Sequence, residues 1–346
     1  MVDGGLRPNR DVETIQSTMK HNPKVSVIVV NYNGLPHVDD CISSILRQDY
    51  SNFETIFVDN ASADGSLEYV RKAFPGLIFV ANDSNLGYTG GINSGLARAT
   101  GEYIAPLNID TEVAPGWLSS MVDFMEANPL AGAVTPKILI FAERDRINAK
   151  GLDVHITGIG FCRRLYQQDD GSLNPEKVPG ISGCSYLIRH EVLKQMGGAP
   201  EESFMAYDDV IISWLLNLMG FEMYCVPRAV VFHKYIAKTD PDKLFLLEKN
   251  RQALLLSSLK PLTLVICLPV FLVIELMIAI YSMIKGKTYI RAKIAAFASL
   301  WRERRYIKQK RKQYQGLRKI SDFALFRRLN WDLDWVRLFK VVFLPP

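Results

Sequence analysis

Five residues in this chain combine chemically useful side chains with suggestive positions: Asp59, Asp110, Asp208, Asp209 and His233. Each closes an apolar run or opens a helical one. Carboxylates and an imidazole gathered on one rim would hold a hard divalent cation. Mg2+ or Mn2+ prefers carboxylate together with phosphate oxygens, and Mn2+ also accepts imidazole. Every one of these residues has an ordinary alternative. Asp110 lies in "LNIDTEV" (107–113), one residue beyond Asn108, and both types also start turns by bonding their own backbone. Asp208-Asp209 equally caps a helix, whose positive end favours carboxylates. His233 also fits a histidine with its hydrogen bonds satisfied near a strand end.

The elements that must position these groups can be read from hydrophobic period. "KVSVIVVNYNG" (24–34) is a β-branched run stopped by a turn, and 37–50 follows with helical spacing at Val38, Cys41, Ile42 and Ile45. Strands are expected at 53–62, 77–83 and 102–110, with helices at 63–74 and 90–101 between them. This alternation implies parallel βαβ units in one sheet, where ligands sit beyond the carboxyl ends of the strands. The loops at 31–34, 59–65, 83–91 and 108–112 all fall there, which makes Asp110 a site candidate. Gly87, Gly90, Gly91 and Gly95 do not match GxGxxG, so a nicotinamide-type site is disfavoured.

Beyond residue 114 the pattern predicts a helix over 115–129, a strand then a helix over 182–198, a helix over 206–221 and a strand over 224–234 that delivers His233. The five cysteines, Cys41, Cys162, Cys184, Cys225 and Cys267, are scattered and form no CxxC. That argues against a disulfide framework or a zinc ribbon and fits a reducing compartment. Residues 1–23 are polar with no apolar core, and are expected to be a mobile leader rather than a secretory signal.

The runs "VSVIVVNYNG", "IFVDNASADGS", "NDSNLGYTGGINSGL", "PLNIDTEV", "SGCSYLIRHEVLKQMGG", "YDDVIISW" and "VVFH", in that order, carry a resemblance. Over about residues 24–255 the chain resembles the family 2 glycosyltransferases of GT-A fold, particularly the rhamnosyltransferase-like and galactofuranosyltransferase-like branch. The resemblance implies an α/β fold: a Rossmann-like, mostly parallel sheet flanked by helices, with a membrane-associated helical region after it. It also implies an inverting transfer of sugar from a nucleotide-sugar donor (UDP-, dTDP- or GDP-linked) to a hydroxyl of a lipid-linked or cell-envelope glycan. Carried over residue by residue, it assigns Asn31, Tyr32, Asn33 and Asp59 to the nucleotide. Asn85, Gly87 and Asn93 would shape the donor pocket, with Asn108 beside them. Asp110 and His233 would ligate Mg2+ or Mn2+. Asp209 would be the general base on the acceptor, with Asp208 next to it, and Arg251 would assist at the diphosphate or the lipid side. Two positions depart from the family pattern. Ile211 stands where relatives carry an acid and Leu215 where they carry an arginine, and both changes are expected to bear on acceptor or sugar selection. Two alternatives stay open: transfer to polyprenyl phosphate, and a non-catalytic sugar-nucleotide-binding scaffold on the membrane.

The charge of the chain is split. Residues 285–346 hold 17 Lys/Arg against 4 Asp/Glu, net +13, while 1–284 carry −8. A basic tail on an acidic body suggests an anionic partner. The 23-residue apolar stretch 262–284 beside it points to lipid rather than nucleic acid. As a helix that stretch could cross a bilayer, but Pro269 kinks it, and Glu275 would cost about 2–3 kcal/mol near the bilayer centre unless paired. The basic cluster after it stays cytoplasmic, as must a domain using nucleotide sugars, and one crossing cannot leave both on one side. The expectation is a re-entrant or in-plane segment in 256–346, with 289–314 a basic amphipathic helix on an anionic membrane surface. A buried core helix with a solvated basic face is the other possibility.

Overall fold

The computed structural model describes residues 21–234 and 240–332, so most of the leader and the last residues of the chain lie outside the described residues. The chain opens with β1 (Val25–Asn31), α1 (Val38–Leu46), β2 (Phe53–Asp59), α2 (Ser66–Ala73), β3 (Ile78–Ala81), α3 (Gly87–Leu96) and β4 (Tyr103–Asn108). All seven residues of β1 are buried, as a strand covered on both faces requires. β1 pairs in parallel with both β2 and β4, and β2 pairs in parallel with β3. The expected alternation is therefore present.

Next come β5 (Thr111–Val113), α4 (Trp117–Ala127), β6 (Ala131–Ile140), β7 (Glu143–Ala149), β8 (Leu152–Val154), β9 (Gly160–Cys162), β10 (Glu176–Lys177), β11 (Leu187–Arg189), α5 (His190–Met196), α6 (Asp208–Leu218) and β12 (Glu222–His233). The strand order is β10-β12-β6-β11-β4-β1-β2-β3. The sheet is mixed. β11 enters antiparallel between β4 and β6, whereas β6 and β12 run parallel. Side chains alternate between two cores: Ile28, Ile56 and Ile104 lie under Trp214 on one face, while Val27, Phe57 and Leu107 lie with Trp117 on the other.

Helix α3 begins three residues before the expected start and ends at Leu96. A side-chain carbon on Gly91 would lie 2.5 Å from Val30 Cγ1, and one on Gly95 would lie 2.7 Å from Ile28 Cγ2. The glycines thus let the helix press onto β1, an approach that apolar periodicity does not reveal.

The C-terminal region holds α7 (Pro241–Ser258), α8 (Pro261–Ile266), α9 (Leu268–Lys285), α10 (Lys287–Arg302), α11 (Arg304–Leu317) and α12 (Asp322–Phe326). The apolar stretch breaks at Cys267, where Pro269 takes a first-turn position of α9 and needs no amide donor there. The expected single basic helix over 289–314 is divided at Glu303 into α10 and α11.

Candidate active site

Two strand pairings build one half of the site. β4 ends at Asn108, and the chain turns through Asp110 into β5, which runs antiparallel to the end of β12 with Thr111 opposite His233. The Lys234 amide donates to the Asp110 carbonyl at 2.9 Å. This register sets His233 Nε2 3.4 Å from Asp110 Oδ1. On the other side of the ring, Nδ1 lies 3.0 Å from Asn148 Oδ1, so Nδ1 carries the donated proton and the ring is oriented. Burial alone would raise the half-buried Asp110 carboxyl, but His233 beside it holds it below the usual aspartate range. Burial disfavours charge on His233, while Cys184 and Asp110 favour it and raise the imidazole to about 10. Among the described residues no three His, Cys, Asp or Glu side chains are grouped to hold an ion by themselves. Asp110 and His233 offer one oxygen and one nitrogen donor, a set suited to a divalent cation that takes its other ligands from phosphate and water.

The other half is the start of α6. Tyr207 precedes it in the left-handed region, at φ 79°. Asp208 is buried, and its Oδ2 has no hydrogen-bond partner. Asp209 is half-buried: Oδ1 accepts from the Val210 amide at 2.8 Å and Oδ2 from the Gly183 amide at 3.2 Å. Burial pushes both carboxyls up, and the Asp209 charge adds to the rise in Asp208.

A single backbone stretch joins the halves. Gly183 binds Asp209 through its amide and accepts from the Tyr88 hydroxyl at 3.2 Å through its carbonyl. The carbonyl of the next residue, Cys184, accepts from the Asn108 amide at 3.0 Å. The Cys184 side chain also hydrogen-bonds His233, so the metal-type pair and Asp209 are attached to adjacent residues, whose Cα atoms lie about 3.8 Å apart. A side-chain carbon on Gly183 would stand 3.3 Å from Asp209 Oδ2 and 3.5 Å from Asp208 Oδ2, so glycine lets the backbone lie against both. Sequence pattern assigns no role to Tyr88, Gly183 or Cys184. The run "SGCSYL" is visible, but its contact with α6 depends on the antiparallel entry of β11.

The remaining candidates divide into two groups. Asn31 is fully buried, its Nδ2 within 2.8–2.9 Å of Asp59 Oδ1, Ser62 Oγ and Ser66 Oγ, while its Oδ1 accepts from the Gly34 amide at 3.1 Å. Asp59, also buried, accepts from the Ser62 amide at 3.0 Å. These two brace the loops after β1 and β2. Tyr32 and Asn33 are exposed on the same rim, and Asn33 Oδ1 receives the Ala63 amide at 2.8 Å. Asn85 Oδ1 accepts from the amide of Gly87, which turns at φ +72°. Asn108 is half-buried beside the turn that carries Asp110.

The other group is committed elsewhere. Asn93 spends its amide on Ala199 and Glu201, at 2.8–3.0 Å, stitching α3 to the loop after α5. Arg251 is buried in α7, with its guanidinium taken by Glu248 and Glu275. Ile211 and Leu215 are buried in the apolar core on the α6 side.

A model of Glycosyl transferase family 2 matches residues 26–197. Poly-beta-1,6-N-acetyl-D-glucosamine synthase of Staphylococcus epidermidis is 28% identical over 65% of this chain and 53% of its own length. N-acetylglucosaminyl-diphospho-decaprenol L-rhamnosyltransferase of Mycobacterium tuberculosis is 25% identical over 62% of this chain and 78% of its own. Among solved structures, mannosyltransferase PcManGT of Pyrobaculum calidifontis, in complex with GDP-Man and Mn2+, has a TM-score of 0.52 at 19% identity, covering 89% of this chain and 86% of that one. The chain spans about half the length of the first curated relatives it matches. The mixed, helix-flanked sheet is the GT-A fold, and residues 26–197 carry a family 2 glycosyltransferase domain.

Proposed function

We propose that this glycosyltransferase works at a membrane surface, moving a sugar with inversion from a UDP-, dTDP- or GDP-linked donor to a hydroxyl of a lipid-linked or cell-envelope glycan. The observation that carries this reading is the attachment of Asp110–His233 and of Asp209 to neighbouring residues of one backbone stretch, 183–184. Asp209 is the partly exposed member of its pair, oriented by the Gly183 amide, and accepts the proton of the attacking hydroxyl. Asp208 stays buried beside it, and burial together with the Asp209 charge favours its protonated form. Asp110 and His233 would hold Mg2+ or Mn2+, which when bound supplies positive charge to the leaving diphosphate. The Mn2+ and GDP-Man of the mannosyltransferase that shares the fold accord with that donor set. Tyr32 and Asn33 offer exposed side chains to the nucleotide, on loops that Asn31 and Asp59 make rigid. Lipid-linked and polysaccharide products in the names of two relatives support an envelope acceptor.

The membrane part of the reading rests on α8 to α10. Helix α9 has 18 residues of mean hydropathy 2.0, with 22% of them buried. Leu262, Val265, Leu276, Ile294, Phe297 and Trp301 are exposed apolar side chains on the three helices. Exposed Arg291, Arg302, Arg304, Arg305 and Lys308 stand near them in sequence. An apolar face bordered by arginine and lysine suits an anionic bilayer entered from one side. Nucleic acid is not among the proposed partners.

The test is nucleoside-diphosphate release by purified protein from UDP-, dTDP- and GDP-sugars, with and without envelope lipid extract. Acceptor-stimulated release from one donor class is expected. Release from none of them, in any arm, would remove the reading.

A further inference from the structure

Helix α9 carries one carboxylate, Glu275, whose side chain is 30% exposed and is met by cations from two other helices. Glu275 pairs with Arg251 of α7 and Lys293 of α10, and Gln252 Nε2 adds a hydrogen bond at 3.1 Å. Glu248 closes the group, accepting from Arg251 Nε at 2.8 Å and Nη2 at 3.0 Å and meeting Lys293 as well. Two carboxylates and two cations compensate one another, as the burial of Arg251 and Glu248 requires.

The network continues toward the catalytic helix. Arg251 Nη1 donates to the Thr157 carbonyl at 3.3 Å. At the next residue, Gly158 (φ +79°), an added side-chain carbon would lie 3.1 Å from Arg251 Cγ and 2.7 Å from Tyr207 Oη. The Tyr207 hydroxyl donates to the Gly158 carbonyl. Tyr207 immediately precedes Asp208-Asp209. An unbroken run of contacts thus leads from α9 through Arg251, the 157–158 turn and Tyr207 to the proposed base.

We propose that Arg251 and Glu275 are positioning residues: they fix the placement of the Asp208–Asp209 helix start relative to α9, so that the base is aligned with a hydroxyl borne by the membrane on which α9 sits. This rests on the transfer reading above. A lipid-linked acceptor presents its hydroxyl at a limited height over the bilayer, so a rigid link between anchor and base raises the fraction of productive encounters. Arginine suits the joint because its planar fork binds one carboxylate bidentately and reaches further acceptors at the same time.

The test compares full-length wild type with Glu275→Gln and Tyr207→Phe, which remove the ion pair and the Gly158 hydrogen bond respectively with little change of shape. Four quantities are measured: melting temperature, co-sedimentation with phosphatidylglycerol–phosphatidylethanolamine vesicles, acceptor-free donor hydrolysis, and kcat and donor KM with the same vesicles doped with envelope lipid extract. Both variants are expected to bind vesicles and hydrolyse donor within about twofold of wild type and to keep the donor KM. Their kcat with vesicle-borne acceptor should fall roughly tenfold or more, the loss expected when reacting groups are misplaced by about an ångström. Unchanged kcat in both variants overturns the proposal. So does an equal loss of acceptor-free hydrolysis, which marks a cluster that only supports the fold. Wild type that releases no nucleoside diphosphate in any arm overturns the transfer reading itself, which separates the two failures.

Discussion

His233 faces Asp110 across 3.4 Å because Thr111, one residue beyond the aspartate, pairs with His233 in the β5–β12 ladder. Strand register, rather than closeness in sequence, makes this pair. Asn148 then fixes the ring from its other nitrogen.

Replacing either member should cost metal affinity before it costs the fold. For His233→Ala and Asp110→Asn we expect Mn2+ binding weaker by about 10-fold or more, and a metal-free melting temperature lowered by loss of the pair, with folding retained. Calorimetric titration of the metal measures this. Full-rate transfer by EDTA-treated wild type would contradict the role given to the pair.

Asp209→Asn keeps the hydrogen bond from Gly183 but cannot take a proton. Donor affinity should stay within about twofold, and transfer should fall by about 10²–10⁴-fold. Turnover near the wild-type rate would take Asp209 out of the role of base.

The pH dependence has a definite sign. Burial raises the carboxyls of Asp208 and Asp209, and a base must be deprotonated, so kcat should fall as pH drops through a value well above the ordinary aspartate range. For stability, a folded pKa above the unfolded one means that the folded state binds the proton more tightly. That advantage is complete below about pH 3.9 and is lost as pH rises through the raised value. Asp208→Asn should therefore raise the melting temperature by a few degrees at pH 8, roughly 1 kcal/mol, and give no gain at pH 4. An equal shift at both pH values would show that Asp208 is not held in its proton-binding form.

Gly91→Ala places a methyl group 2.5 Å from Val30 Cγ1, so α3 must lift from β1. The expected cost is about 1–3 kcal/mol. Chemical denaturation reads it, and an unchanged midpoint would refute the close approach.

Phe297→Ser and Trp301→Ser alter side chains that are 69% and 75% exposed, so folding should not suffer. Each should weaken binding to phosphatidylglycerol-containing vesicles by about 1.5–3 kcal/mol, tenfold or more. Equal co-sedimentation of variants and wild type would take α10 out of the membrane contact.

Much of this arrangement is legible in the amino-acid sequence. The apolar runs ending at Asn31, Asp59 and Asn108 mark three parallel strands, because strands buried on both faces show as continuous β-branched stretches. Asp110, Asp209 and His233 stand out as polar groups at the ends of such elements. The contacts of Gly183 and Cys184 do not, because β11 reaches the site by an antiparallel entry that no local period encodes. The partners of Arg251 are hidden for a related reason. Sequence shows a cation near the domain's end, whereas its partners Glu248 and Glu275 become visible only once α7 and α9 are side by side.

The pairing of Glu275 has a bearing on how the protein is made. An isolated α9 entering hydrocarbon would carry a bare carboxylate, costing about 2.5–3.5 kcal/mol, and its two neutralising cations sit on other helices, one before it and one after. Synthesis must pass Lys293 before the group of two carboxylates and two cations is complete. A membrane-seated α9 would therefore need both neighbouring helices in place to offset its carboxylate.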